Sequence, residues 1–108
     1  MKKLFIAAFM FVSSFGTNVM ADGHAIKMGI ILGFTGPIES LTPAMAASAE
    51  LAFKEASDSG SLLGGKKIEV VRADSTCVDS AAATAAAEGV ISQGVAAIMG
   101  ADCSGVTG

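Results

Sequence analysis

Short apolar runs alternate with helix-forming segments along the chain, and this pattern predicts three strands and two helices. The first run, 26–32, is almost entirely apolar and precedes a turn-rich loop, which is typical of a strand buried on both faces of a sheet. The run 67–73 alternates and is rich in β-branched residues, and 95–99 is short and apolar. The order strand, helix, strand, helix, strand favours a parallel sheet with right-handed crossovers, so we expect the α/β fold class.

The first predicted helix covers residues 44–57. Thr42 is followed by Pro43, and this pair is typical of a helix start, with threonine as the N-cap and proline at the first helical position. Gly60 follows the segment, and glycine commonly ends helices. We therefore expect Thr42 to cap this helix and Gly60 to end it.

The second predicted helix covers residues 81–93 and is rich in alanine. Asp79 precedes it and Gly94 follows it, so both ends carry the usual signals. The small side chains allow the helix to pack closely on a sheet. Two helices cannot cover both faces of three parallel strands, so residues 22–108 are expected to be the opening part of a larger domain, and residues 100–108 a glycine-rich loop that stops where a third helix should begin.

The first 21 residues have the layout of a secretory signal peptide. Lys2 and Lys3 form a positively charged start, and an uninterrupted apolar run follows at 4–12. That run is broken by small polar residues well before the roughly 20 apolar residues that a membrane-spanning anchor needs. We expect cleavage after Ala21, which gives an exported, periplasmic chain beginning at Asp22.

Composition and charge exclude several classes of protein. With 52% hydrophobic and 16% charged residues the chain is not disordered. The net charge is −3 and the basic residues are scattered, so a nucleic-acid partner is not expected. The single histidine, His24, has no serine, cysteine or carboxylate arrangement around it that would form a catalytic or metal site. We expect no enzyme activity, no metal and no cofactor.

Ligands of doubly wound sheets bind outside the carboxyl ends of the strands, which directs attention to residues 33–42, 74–79 and 100–108. A dinucleotide site is not supported there. The glycines after the first strand read Gly33-x-x-Gly36 rather than G-x-G-x-x-G, and Asp74 lies too far along the chain to be the ribose-binding acid.

Two cysteines, Cys77 and Cys103, permit one intrachain pairing. Export to an oxidising compartment favours a disulfide between them, with two buried free thiols as the alternative. The bridge would join the loop after the second strand to the loop after the third, which we expect to be neighbours at one sheet edge.

Several blocks of sequence, in order and spacing over residues 26–107, resemble the branched-chain amino acid binding proteins of bacterial ABC transporters. They are IKMG at 26–29, FTGP at 34–37, AELA at 49–52, LGGKKIEVV at 63–71, Asp74 with Cys77, and GADCSGVT at 100–107. The resemblance implies a periplasmic solute-binding receptor with two α/β lobes and a hinge. Such a receptor closes on an amino acid such as leucine, isoleucine or valine and delivers it to a membrane permease, and residues 22–108 would belong to its first lobe.

The resemblance also implies two ligand-binding residues. Ser104, which follows the second cysteine, would hydrogen-bond the α-carboxylate of the ligand, whereas the alternative is an ordinary helix N-cap. Leu41 stands where many relatives have an aromatic residue against the ligand side chain, and its alternative role is loop packing. A second function remains open, a ligand-sensing regulator lobe of the same fold that binds an amide or amino acid and signals to a protein partner.

Overall fold

A computed structural model describes residues 25–108 as a three-stranded parallel sheet with a helix on each face. The elements in chain order are β1 (Ile26–Leu32), α1 (Thr42–Asp58), a 3₁₀ turn (Leu62–Gly64), β2 (Ile68–Asp74), α2 (Ser80–Ser92), β3 (Ala97–Met99) and α3 (Ser104–Thr107). The α/β fold class is therefore confirmed. The predicted signal peptide over 1–21, its cleavage after Ala21, and His24 lie outside the described residues.

The strand order is β2-β1-β3, and both pairings are parallel. β1 pairs with β2 along its whole length, from Ile26 opposite Ile68 to Leu32 opposite Asp74. With β3 it pairs over three residues, which begin at Met28 opposite Ala97. β1 is thus the central strand, and the carboxyl ends of all three strands lie at the same edge of the sheet.

Helix α1 packs on one face of β1. Ile30, Leu32 and Ala46 form the buried centre of this contact, and each is at most 1% exposed. Partly buried side chains from both helix and sheet surround them, namely Phe34, Ala49, Phe53, Val70 and Met99. The apolar character of 26–32 thus supplies one wall of the core and the small Ala46 lets α1 approach it.

Helix α2 packs on the opposite face, as expected from the alternation of side chains along a strand. Val90 of α2 is fully buried and lies over Gly29 of β1. A Cβ atom at Gly29 would be only 2.6 Å from Cγ1 of Val90 and 3.1 Å from Cγ1 of Ile98. Glycine inside this strand therefore permits the close approach of α2, to which the buried Ala83 also contributes.

The predicted cap of α1 is wrong. Leu41 occupies the N-cap position, with no side-chain capping bond, and Thr42 is already the first helical residue. The Thr42 side chain is fully buried, and its hydroxyl donates to the carbonyl oxygen of Gly33, 3.1 Å away. The Thr42 side chain therefore ties the start of α1 to the loop after β1 instead of capping the helix.

The predicted start of α2 is confirmed. Asp79 is its N-cap, and one carboxylate oxygen accepts hydrogen bonds from the N–H groups of Ala81 and Ala82, at 2.9 and 3.1 Å. Within residues 25–108, no helix has the length and apolar character needed to cross a membrane.

Candidate ligand-binding site

The edge at the carboxyl ends of the strands carries three loops, at 33–41, 75–79 and 100–103. From β1 the chain moves to one side to form β2, and then crosses β1 to form β3 on the other side. The direction of winding therefore reverses between β1 and β3. Open α/β sheets bind ligands in the crevice at such a reversal, so the loops after β1 and β3 form the candidate site.

The main chain of Gly33 joins these two loops. Its N–H group donates to both carboxylate oxygens of Asp102, at 3.1 and 3.2 Å, and its carbonyl accepts the hydroxyl of Thr42. One residue at the end of β1 thus holds the loop after β3 on one side and the start of α1 on the other. The contact with Asp102 does not follow from sequence spacing, because Gly33 and Asp102 are 69 residues apart.

A disulfide between Cys77 and Cys103 is present, with the two Cα atoms 5.2 Å apart. The expected bridge between the loops after β2 and β3 is confirmed, but these two strands are not neighbours in the sheet, because β1 lies between them. The bridge instead passes across the carboxyl end of β1. Gly33 packs closely against Cys77, since a Cβ atom there would be 3.0 Å from Cβ of Cys77.

Asp74, at the end of β2, accepts hydrogen bonds from other residues of the protein. Its carboxylate accepts the hydroxyl of Thr35 at 2.5 Å, the N–H group of Thr76 at 2.8 Å and the N–H group of Thr35 at 3.3 Å. Burial acts to raise the pKa of Asp74, but these hydrogen bonds to the ionised form outweigh it and hold the pKa below its ordinary value. This carboxylate fastens the loop after β1 to β2.

The structure places both predicted ligand-binding residues at this edge. Ser104 is the exposed first residue of α3, and Cys103 rather than Ser104 occupies the N-cap position, so the N-cap alternative for Ser104 is wrong. Leu41 is 60% exposed immediately before Thr42. Ser104 lies two residues after Asp102, so Gly33 connects the segments that carry the two candidates.

A cleft of about 290 Å³ lies elsewhere, between α1 and the outer side of β2. Its charged residues already pair with one another or with a neighbour. Lys54 and Lys67 pair with Asp58, and Glu50 pairs with Arg72. The cleft includes Ile68, at the opposite end of β2 from the loops. It is therefore not part of the candidate site, and residues 25–108 contain no cluster of metal-binding side chains.

Comparison with known proteins agrees with this architecture. A family model described as periplasmic binding protein matches residues 25–108, which is every residue that the structure describes. No curated protein matches the chain.

Proposed function

Since the chain belongs to the periplasmic binding protein family, we propose that it serves as a periplasmic receptor for a branched-chain or related α-amino acid and delivers it to the permease of an ABC transporter. The family supports the coarser role, a solute-binding receptor in the periplasm. The observation that carries the proposal further is the exposed Ser104 beside the reversal of winding between β1 and β3.

A neutral hydroxyl is suited to the carboxylate of an amino acid in this place. The loops 33–41, 75–79 and 100–103 contain no lysine or arginine, so no side-chain cation there can bind an anion. A serine hydroxyl and main-chain N–H groups are donors that bind a carboxylate without a cation. The carboxylates of Asp74 and Asp102 already accept hydrogen bonds from the protein's own donors, which offsets part of their repulsion of an incoming anion.

Leu41 supports an aliphatic ligand. Its side chain is exposed rather than packed into the loop, and it extends from the first loop of the candidate site. Contact between this side chain and an aliphatic ligand would remove apolar surface of both from water. We therefore assign the ligand side chain to Leu41 and the ligand carboxylate to Ser104.

The test is Ser104→Ala in the full-length protein, with the Kd for L-leucine, L-isoleucine and L-valine measured by calorimetry. Loss of one charge-assisted hydrogen bond should weaken binding of all three by roughly tenfold to a hundredfold. The melting temperature should change little, since the hydroxyl does not cap α3.

Ser80→Ala is the matched control. Ser80 is the first residue of α2, as Ser104 is of α3, but it follows the loop after β2, away from the reversal of winding. It should leave all three Kd values unchanged. An unchanged Kd in Ser104→Ala, with binding by the unsubstituted protein intact, would remove Ser104 from the site.

A further inference from the structure

We propose that Asp102 is a positioning residue for the ligand contact of Ser104, because its carboxylate fixes the loop after β3 against the loop after β1. This inference rests on the proposed function. Both of its oxygens face the N–H group of Gly33, at 3.1 and 3.2 Å, so the role we assign to Asp102 is positioning and not contact with the ligand.

Ser104 is held through its neighbours on both sides along the chain. Asp102, two residues before it, contacts Gly33, and Cys103, immediately before it, is bonded to Cys77. From the other end of α3, the hydroxyl of Thr107 reaches back to the carbonyl oxygens of Cys103 and Ala101, at 2.7 and 3.2 Å. The backbone that carries Ser104 therefore has little freedom to move while these contacts last.

The contact of Asp102 sets the position of Ser104 in a way that the disulfide cannot. The disulfide ties Cys103 to the loop after β2, which lies on the far side of β1. Asp102 ties the same loop to the end of β1 itself, and so to the loop that leads to Leu41. This hydrogen bond therefore fixes the position of Ser104 relative to the end of β1.

The test compares three substitutions of Asp102 in the full-length protein, with L-leucine as the probe. Asp102→Ala removes the acceptor and should raise the Kd about tenfold. Asp102→Asn keeps one oxygen in place but loses the charge, and should stay within about threefold of the unsubstituted protein. Asp102→Glu keeps the charge but displaces it by one methylene, and should raise the Kd roughly fivefold. If binding of L-leucine is retained in Asp102→Asn but weakened in Asp102→Glu, Asp102 acts by its position and not by a general effect of its charge.

A double-mutant cycle with Ser104→Ala identifies the route by which Asp102 acts. If Asp102 acts through Ser104, Asp102→Ala should change the Kd less than about twofold once the Ser104 hydroxyl is gone. Asp79→Ala is the control, because the carboxylate of Asp79 also accepts backbone N–H groups, those of Ala81 and Ala82, but caps α2. It should lower the melting temperature and leave the Kd unchanged.

Amide hydrogen exchange without ligand provides a measurement that does not depend on the proposed function. The N–H group of Val106 donates to the carbonyl of Cys103 and reports on the order of α3. Asp102→Ala should accelerate its exchange by about tenfold or more while leaving Ile30 in β1 unchanged. Three results would each overturn the inference. The exchange rate at Val106 could be unchanged in Asp102→Ala, or the effects of the two substitutions on the Kd could be additive in the cycle. The third is an unchanged Kd in Asp102→Ala when Ser104→Ala weakens binding. An unchanged Kd in Ser104→Ala would instead contradict the proposed function.

Discussion

At the scale of single residues, Asp74 makes the stability of the fold depend on pH. Its hydrogen bonds from Thr35 and Thr76 favour the ionised carboxylate, and its pKa in the folded protein lies below the value in the unfolded chain. The folded state therefore binds fewer protons than the unfolded state in this range. The stabilisation is complete at neutral pH and is lost as the pH falls below about 4 and through the folded pKa.

Asp74→Asn should remove this contribution. We expect the variant to be less stable than the unsubstituted protein by about 1 kcal/mol at pH 7, and the difference to narrow as the pH falls below about 4, where the carboxyl of Asp74 becomes protonated in the unfolded chain first. Urea denaturation of both proteins at several pH values measures this difference in the free energy of unfolding. Thr35→Val, which removes one donor, should show part of the same effect. A difference that stays constant from pH 7 to pH 3 would contradict this account.

The residue scale also shows where sequence reasoning succeeds and fails. Asp79 was predictable as a cap because capping joins residues that are adjacent along the chain. Thr42 had the same local signal, but its hydroxyl binds Gly33, and a tertiary contact of this kind has no local pattern. Asp102 was not identified for the same reason, since its partner is known only when β1 is placed next to β3.

At the scale of elements, the contact between α2 and β1 depends on the missing side chain of Gly29. Gly29→Ala would push a methyl group against Val90, which is buried and cannot move into solvent. We expect a loss of about 1 to 3 kcal/mol in the free energy of unfolding. Denaturant titration measures this loss, and Val90→Ala in the same chain should recover part of it by making room.

Gly89→Ala is the matched control, because a Cβ atom built at this helical glycine would have no atom within 4 Å apart from its chain neighbours and the nearby backbone of α2. It should stabilise the protein by about 0.5 to 1 kcal/mol, as alanine is the better helix former. If Gly29→Ala and Gly89→Ala changed the free energy of unfolding by the same amount, the close packing of α2 on β1 would not be the reason for glycine at position 29.

The elements themselves were largely predictable, but their arrangement was less so. The bounds of β1 agree with the predicted run, since a continuous apolar segment between turn residues is a strong signal. β3 begins at Ala97 instead of residue 95, and β2 is displaced by one residue. Helical and strand periodicities identify elements but do not say which strand is central. The disulfide was therefore predicted between the correct cysteines, but the strands β2 and β3 that precede them were wrongly expected to be adjacent in the sheet.

At the scale of the whole molecule, the disulfide connects two parts of the chain that the sheet alone keeps apart. It closes a loop of 26 residues, which contains all of α2 and β3. Cross-linking a loop of this length lowers the entropy of the unfolded chain by the equivalent of about 3 to 4 kcal/mol at 25 °C.

Replacing both Cys77 and Cys103 by serine should therefore lower the free energy of unfolding by about 3 kcal/mol. Urea denaturation of the oxidised protein and of the double variant measures the difference. The unsubstituted protein with a strong reductant should behave like the variant, which controls for the serine side chains. A loss below about 1 kcal/mol would show that the unfolded chain is already compact between these positions.

The central place of β1 also has a consequence for the order of events during folding. β1 is synthesised before both of the strands that flank it, and the contact between Gly33 and Asp102 spans 69 residues. Contacts so distant along the chain close slowly, because much chain entropy is lost before they form. The most buried strand is therefore synthesised first, and its second neighbour is added last. Until β3 arrives, one of its edges is open to pairing with another chain, so rapid synthesis at high concentration favours aggregation over folding.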